Sequence, residues 1–454
     1  MMNDTIIAQA TPYGRSGIGV LRISGTKSEY VSKKILSKVP VARYACYTDF
    51  LSFSGEVIDH GIALWFPKPF SFTGEDVLEL HTHGNPVILD LIIKNILLIQ
   101  NVRIARPGEF SERAFLNGKI DLIQAESIIK LINADSELHV KSALRSLNGF
   151  FSKQIKDIIF QVTCIRIEVE ASLNFPEDDI NFSNHDIDSK LDKIFLIVKN
   201  ILCSAKLGSI IHERPKVVIV GPTNVGKSSI FNALTLNDTA IVTEIPGTTR
   251  DILNEYININ GMIFQITDTA GFRETKNIIE KIGINKTLEQ INSAQHIFFV
   301  LDSTFSLYKK KFLISNFLKI INTNTKFTII INKIDQTKEE PRIKKYRGGN
   351  TYIFISAKTG FGIEILKNHL YFYFTGNDNC NSETVFLSRR RHLNILNHVK
   401  LCILDIIKNW SQENNVEFLA EGLKNVQNLL NGITGAVTSK EILNSIFQEF
   451  CIGK

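Results

Sequence analysis

The sequence predicts a multidomain α/β and α protein: a small α+β unit first, then a helical bundle into which a parallel-sheet α/β unit is inserted. Three observations carry this. No proline lies between Pro107 and Pro176 or after Pro341, and long proline-free stretches permit long helices. Residues 216–375 alternate apolar runs with helical segments, the pattern of a parallel sheet. One of those runs, Val217–Val220, delivers the chain into a glycine loop that opens a helix.

Each element follows from local pattern. Residues 1–118 mix short β-prone runs with Gly and Pro turns, as in Ile18–Ile23 and Val77–Leu80, and read as an α+β unit. From Ile120 to about Phe175 the spacing is helical, with Leu122, Ala125, Ile129 and Ile132 recurring at three to four residues. Pro176-Glu177-Asp178-Asp179 breaks it, a further helix follows from about Asp186 to Ser209, and Arg214-Pro215 marks a boundary. The α/β unit is expected to place strands at Val217–Val220, Ile263–Thr267, His296–Leu301, Phe327–Ile331 and Tyr352–Ile355. From about Glu383 the chain is helical again. The expected domains are 1–118, a helical domain in two parts (119–212 and 380–454), and the inserted unit 216–375.

At 454 residues, two or three domains are expected, and 44% hydrophobic against 22% charged residues excludes a disordered chain. A net charge of +6 is compatible with an RNA partner and does not require one. Six cysteines (46, 164, 203, 380, 402, 451) form no C-x-x-C pair, so reduced thiols and a cytoplasmic location are expected. Met1-Met2-Asn3-Asp4-Thr5 carries no positive leader region. Pro86–Ile99 is too short and too polar to span a bilayer, so no membrane is expected.

Five segments in order carry the chemistry. Gly221-Pro222-Thr223-Asn224-Val225-Gly226-Lys227-Ser228 fits the phosphate-cradling G-x-x-x-x-G-K-[ST] loop. Backbone N–H groups of Asn224 to Ser229 would bind phosphate oxygens, Lys227 would reach the β and γ phosphates, and Ser228 would donate its hydroxyl to Mg2+. Gly247-Thr248-Thr249-Arg250 offers Thr249 as a second magnesium-sensing hydroxyl. Asp268-Thr269-Ala270-Gly271 offers a carboxylate for the metal's water shell and a γ-phosphate N–H. In Asn332-Lys333-Ile334-Asp335, the Asp335 carboxylate can accept from the N1 and N2 donors of guanine, which adenine lacks. Ser356-Ala357-Lys358 completes the set, so the nucleotide expected is GTP. Ras-type enzymes orient water with a glutamine where this chain has Phe272, so that role must come from elsewhere. Arg273, Glu274 and Glu280 are nearby candidates, each read from the residues alone as a solvated switch charge before a catalyst.

Outside these segments stand Asp4-Thr5-Ile6-Ile7-Ala8-Gln9-Ala10-Thr11-Pro12, Ser71–Leu80 (SFTGEDVLEL), Arg106–Phe115 (RPGEFSERAF) and the terminal Phe450-Cys451-Ile452-Gly453-Lys454. Through them the chain resembles, over nearly its whole length, the bacterial tRNA modification GTPase family MnmE, also called TrmE. The resemblance implies a folate-binding, dimerising N-terminal domain, a helical domain and an inserted P-loop, Ras-like GTPase domain. It implies K+ in place of an arginine finger, held by Asn224 and by Thr243, Ile245 and Thr248 of the loop that also brings Glu244, Pro246 and Gly247 to the nucleotide. Glu280 matches the family's water-positioning glutamate, and Arg22, Glu79, Lys119 and Lys454 match positions that contact 5-formyltetrahydrofolate or a related tetrahydrofolate. Cys451 matches a thiol required for modification. The implied partners are a second copy of the chain, an FAD-dependent protein of the MnmG (GidA) type, and tRNA. The implied reaction builds on carbon 5 of the wobble uridine with a one-carbon unit from tetrahydrofolate.

Two other readings stay open here: a ribosome-assembly or RNA-binding switch GTPase of the Era type, and a structural, nucleotide-gated dimer. The helical C-terminal region shows no G-x-x-G loop of an RNA-binding module, which counts against the first. Among weaker signals, His81 and His83 share a strand face at metal-ligand spacing, with a metal site not favoured. Arg389-Arg390-Arg391-His392 could contact tRNA phosphates or be a solvated helix face. Lys309-Lys310-Lys311 reads as a surface loop.

Overall fold

A computed structural model describes residues 4–174, 184–235, 254–268, 289–321, 326–346, 350–376, 386, 388–436, 443, 446–448, 450 and 453. The chain divides into two compact units. The first comprises Met1–Ile129, Ser146–Phe195 and His398–Lys454; the second comprises Lys130–Arg145 and Leu196–Asn397.

The first unit is built on strands β1 (Thr5–Gln9), β2 (Ser16–Ser24), β3 (Cys46–Leu51), β4 (Val57–Phe66), β5 (Val77–Gly84) and β6 (Val102–Ile104), in the order β3-β4-β5-β2-β1-β6. All neighbours are antiparallel except β1 and β6. Alternation sets the faces. Leu21, Ile23, Leu78 and Leu80 point to a core shared with helices α1 (Ser28–Leu36) and α2 (Pro86–Leu97). Arg22, Glu79 and His81 stand on the other face, where Ile6 and Ala8 pack under Phe110 of α3 (Glu109–Leu116). Helix α2 starts where Asn85 accepts a hydrogen bond from the Val87 N–H and Pro86 occupies the first turn.

Two long helices complete this unit, α6 (Phe150–Asn174) and α13 (Val416–Thr434). Buried residues recur every three or four positions: Ile155, Ile158, Val162, Ile165 and Val169 in one, Leu419, Leu423, Val426 and Leu430 in the other. Gln427 joins them, donating to Thr163 Oγ1 at 3.2 Å and accepting from Arg166 at 2.5 Å. Gly435 ends α13 in a left-handed conformation against the Phe115 ring, where a Cβ would come within 2.9 Å. The other helical segments are α4 (Leu122–Ile132), α5 (Glu137–Leu147), α7 (Asn184–Glu213) and α12 (Arg390–Glu413).

The second unit carries a seven-stranded sheet in the order β12-β13-β11-β10-β7-β9-β8. Its parallel centre is β9 (Met262–Asp268), β7 (Lys216–Val220), β10 (His296–Asp302), β11 (Phe327–Asn332) and β13 (Thr351–Phe354). These are the five strands expected from the apolar runs, and the runs are continuous because both faces are covered. The antiparallel edges β8 (Asn254–Ile259) and β12 (Arg342–Lys345) went unforeseen, being short and half-polar. Helices α8 (Lys227–Thr235) and α11 (Ile363–Thr375) cover one face, and α9 (Leu307–Ile320) covers the other. A one-turn helix, α10 (Ile334–Thr337), follows β11. The fold class is therefore the multidomain α/β and α arrangement with a P-loop α/β unit.

Three local readings are corrected. Lys309–Lys311 lie in the first turn of α9, whose N-cap Ser306 accepts from the Lys309 N–H, rather than in a loop. Pro86–Ile99 is no spanning candidate, as expected, but among the described residues a segment the sequence reading passed over, Asp186–Ile211 within α7, is long and apolar enough by composition to cross a membrane. Ile187, Leu191, Ile194, Val198, Ile201 and Ala205 along it are buried within protein, as in a core helix. Cys203 is disulfide-bonded, whereas Cys46, Cys164 and Cys402 are free; spacing along the chain does not report which thiols meet in space.

Candidate functional site

The phosphate loop forms because β7 ends in the core and only six residues separate it from the start of α8. Asn224 (φ 62°) and Gly226 (φ 91°) take left-handed conformations that turn the backbone N–H groups inward. A Cβ on Gly226 would lie 2.4 Å from Asn332 Nδ2, and one on Gly221 would lie 2.4 Å from the Val300 carbonyl, so both glycines are demanded by close approach. Lys227 is buried and donates to the Pro222 carbonyl at 2.9 Å. Burial pushes its ammonium pKa down, and the Asp268 carboxylate opposes that. Ser228 Oγ donates to Asp268 Oδ2 at 2.8 Å, while Asp268 Oδ1 is buried with no hydrogen-bond partner among the described residues. A hydroxyl beside a half-satisfied carboxylate is a donor set that fits a hydrated Mg2+.

The segments Asn332–Asp335 and Ser356–Lys358 close on this loop. Asn332 donates to the Val225 carbonyl at 2.9 Å and accepts from the Ala357 N–H at 3.0 Å, so one amide ties three motifs together. Lys333 donates to the Asn224 carbonyl and to Asp302 Oδ2, both at 2.7 Å. Ser356 Oγ donates to Asp335 Oδ1 at 2.6 Å, aiming the carboxylate. The result is a cleft of about 430 Å3 lined by Gly226, Ser229, Asn332, Lys333, Asp335, Ala357 and Lys358, among others. Asp302 is a positioning residue that the sequence reading missed. Burial would raise its pKa, but hydrogen bonds from Lys333 and Thr304 hold it below the usual carboxylate value. Its only sequence signal is a carboxylate closing an apolar strand.

The rest of the expected nucleotide set lies outside the described residues: Thr243, Glu244, Ile245, Pro246, Gly247, Thr248, Thr249, Thr269, Ala270, Gly271 and Glu280, with Phe272, Arg273 and Glu274.

In the first unit, Arg22 and Glu79 are register partners across β2 and β5, joined at 2.8 Å. The Arg22 guanidinium sits 5.7 Å from the Phe72 ring centre and 5.8 Å from that of Phe110. Lys119 donates to the Pro69 carbonyl at 3.0 Å, at the other end of the loop that carries Phe72. That loop is anchored by buried charge. Arg113, 2% exposed, donates to Glu75, Glu109, Asp4 Oδ1 and the Asp4 carbonyl. Burial would raise the Glu109 pKa, but Arg103, the Arg106 N–H and Arg113 together bring it down to about 2. This network also escaped the sequence reading; its trace is the Glu109–Arg113 pair at i, i+4. Cys451 and Lys454 lie outside the described residues. Their neighbours are placed: Phe450 packs with Leu122 and Phe447, and Gly453 lies against β1, where a Cβ would be 2.3 Å from the Gln9 carbonyl. His83 is taken by Asp59 at 2.8 Å, and among the described residues no cluster of three metal-ligating side chains occurs. Arg390 pairs with Glu213 at 2.9 Å, so the densest basic run is partly engaged within the protein.

The family model described as GTP-binding protein TrmE N-terminus matches residues 5–119, and that of the MnmE helical domain matches residues 122–451. The tRNA modification GTPase MnmE of Buchnera aphidicola subsp. Baizongia pistaciae is 49% identical over 459 residues, covering 100% of both chains. That of Buchnera aphidicola subsp. Schizaphis graminum is 47% identical over 460 residues, covering 100% of this chain and 99% of the relative. The protein of the same name from Hamiltonella defensa is 47% identical over 459 residues, covering 99% of each. A glycine-rich strand-to-helix loop tied through Asn332 to the Ser356–Lys358 segment, and similarity running the full length of the chain, lead to one conclusion: the chain belongs to the MnmE family of tRNA modification GTPases.

Proposed function

We propose that this GTPase is potassium-dependent and works as a homodimer in the cytoplasm. With an FAD-dependent partner of the MnmG type, it modifies carbon 5 of the wobble uridine of certain tRNAs, using a tetrahydrofolate one-carbon unit. The observation that carries the nucleotide part is the convergence of Asn332, Asp335, Ser356 and Ala357 on the phosphate loop.

In this reading Lys227 leaves the Pro222 carbonyl for the β and γ phosphates, where its buried charge is matched. Ser228 and Asp268 hold hydrated Mg2+, joined by Thr249. Asp335, aimed by Ser356, receives the guanine N–H donors. Bound K+, held by Asn224, Thr243, Ile245 and Thr248, would neutralise charge at the phosphates without a proton to manage. Asn224 supports this: it stands exposed at the rim of the loop while its carbonyl is engaged by Lys333. Glu280 positions the attacking water.

The folate part rests on Arg22, Glu79 and Lys119, with Lys454 and Cys451 at the chain end. A carboxylate suits pterin amino donors, and the cations suit a glutamate tail. The loop joining Lys119 to the Arg22 face, and Gly453 against β1, support one shared pocket. We also propose the domain limits 1–118, 119–212 with 380–454, and 216–375.

Two measurements test this reading. Turnover should rise with KCl and hardly with NaCl; equal rates would overturn the potassium assignment. Mass spectrometry of tRNA nucleosides from cells lacking the gene should show loss of the carbon-5 group. Unchanged nucleosides would leave a GTPase with another client.

A further inference from the structure

A second groove lies in the α/β unit, away from the nucleotide. Tyr352 enters β13 beside Ile329, at the strand end opposite to Asn332 and Ala357. It forms the floor of a hollow of about 480 Å3 lined by Lys311, Ile314, Ser315, Leu318 and Lys319 of α9. Lys311, Ser315 and Lys319 recur every four residues and so share one helix face, with the two lysines about 12 Å apart along the axis. The edge strand β12 runs beside Tyr352. Lys344 is the register partner of Tyr352 and shares its face. Tyr346, half exposed, sets its ring 4.7 Å from that of Tyr352 at 66°.

Two cations on the helix and one on the edge strand therefore flank an aromatic pair. Among the described residues none of the three makes an ion pair, whereas Lys309 covers the Phe305 ring and Lys310 donates to the Ser303 carbonyl. Between Asp302 and Asp335 the chain has six lysines and no carboxylate, and Glu339, ahead of the edge strand, is paired with Arg342. Cations that track a backbone beside rings that accept a base are how proteins hold RNA without reading its sequence.

We propose that this groove and the edge strand beside it, through Lys311, Lys319, Lys344, Tyr346 and Tyr352, contact the phosphate backbone and an unstacked base of the tRNA substrate. Charge and platform together favour RNA over an acidic peptide, which needs no stacking surface. The groove also places a tRNA contact on the unit whose nucleotide state changes, giving GTP hydrolysis a direct hold on the RNA.

The test uses the full chain, an unmodified tRNA transcript and a salt series. The triple variant K311Q/K319Q/K344Q should lower the slope of log affinity against log salt by about 2, at roughly 0.7 per lost contact. It should weaken binding tenfold or more near 0.1 M salt. Y346A should weaken binding severalfold with the slope unchanged, the mark of stacking rather than charge. Basal GTP turnover should stay at the wild-type rate in both, which also reports a folded α/β unit. Wild-type affinity and slope in the triple variant, or no tRNA binding by the wild-type chain, would overturn the proposal. So would lost affinity for an acidic protein partner with tRNA affinity unchanged.

Discussion

The nucleotide cleft and the charge cluster around Arg22, Glu79 and Arg113 are built on opposite plans. The cleft is made largely of main chain: turns at Asn224, Gly226 and Lys333 and side chains that bond to carbonyls and N–H groups. The N-terminal cluster is made of side chains meeting side chains, with Arg113 linking residues as distant as Asp4 and Glu109. Main-chain cradles need particular residues at particular spacings, so they leave motifs. Charge networks need partners whose positions depend on the chain path, so they leave almost none. The two plans should also fail differently.

The largest expected effect is at Asp335. D335N replaces an acceptor of two guanine donors with an amide that faces one of them with its own N–H. Two charged hydrogen bonds are worth about 3–6 kcal/mol, so GTP affinity should fall at least about hundredfold. Titration with a fluorescent guanine nucleotide checks this; a drop under tenfold would show that the carboxylate does not face the base.

Next is Arg113. R113M leaves Glu109 and Glu75 without their buried partner and should cost about 3–5 kcal/mol of stability in the first unit. Denaturant unfolding measures the loss, while GTP turnover by the other unit should survive.

Acid should separate the two regions. Glu109 has its pKa depressed to about 2, so its contribution is complete above the usual 4.5 and is lost as pH falls from there toward 2. His296 in the α/β unit is a depressed base. Burial, with His369 nearby, brings it from 6.5 to about 3, and it shares Thr328 with His369. The folded state disfavours its cation, so its contribution is complete above pH 6.5 and declines below it, by up to about 1.4 kcal/mol per pH unit. Unfolding midpoints followed from pH 7 to 5 should fall for the α/β unit first, and H296F should flatten that window. A wild-type slope in H296F would assign the sensitivity to another group.

The smallest effect is at Ser356. S356A removes one hydrogen bond that aims Asp335 and should weaken GTP binding about fivefold, near 1 kcal/mol. Comparing it with D335N separates orientation of the carboxylate from its presence.

By itself the sequence determined the fold class, the five parallel strands and the strand-to-helix glycine loop between them. These depend on short-range sterics, hydrogen bonding within a few residues, and apolar runs that must be covered on both faces. Only the tertiary structure decided which charges are engaged. It joined Asp302 to Lys333 and spent Arg390 on Glu213. It moved Lys311 from an assumed loop to a groove wall facing Tyr352, and brought Arg113 to three carboxylates. The physical reason is distance along the chain: Asp4 and Arg113 are 109 positions apart, and no local pattern records that a strand and a helix will carry them within 3.1 Å.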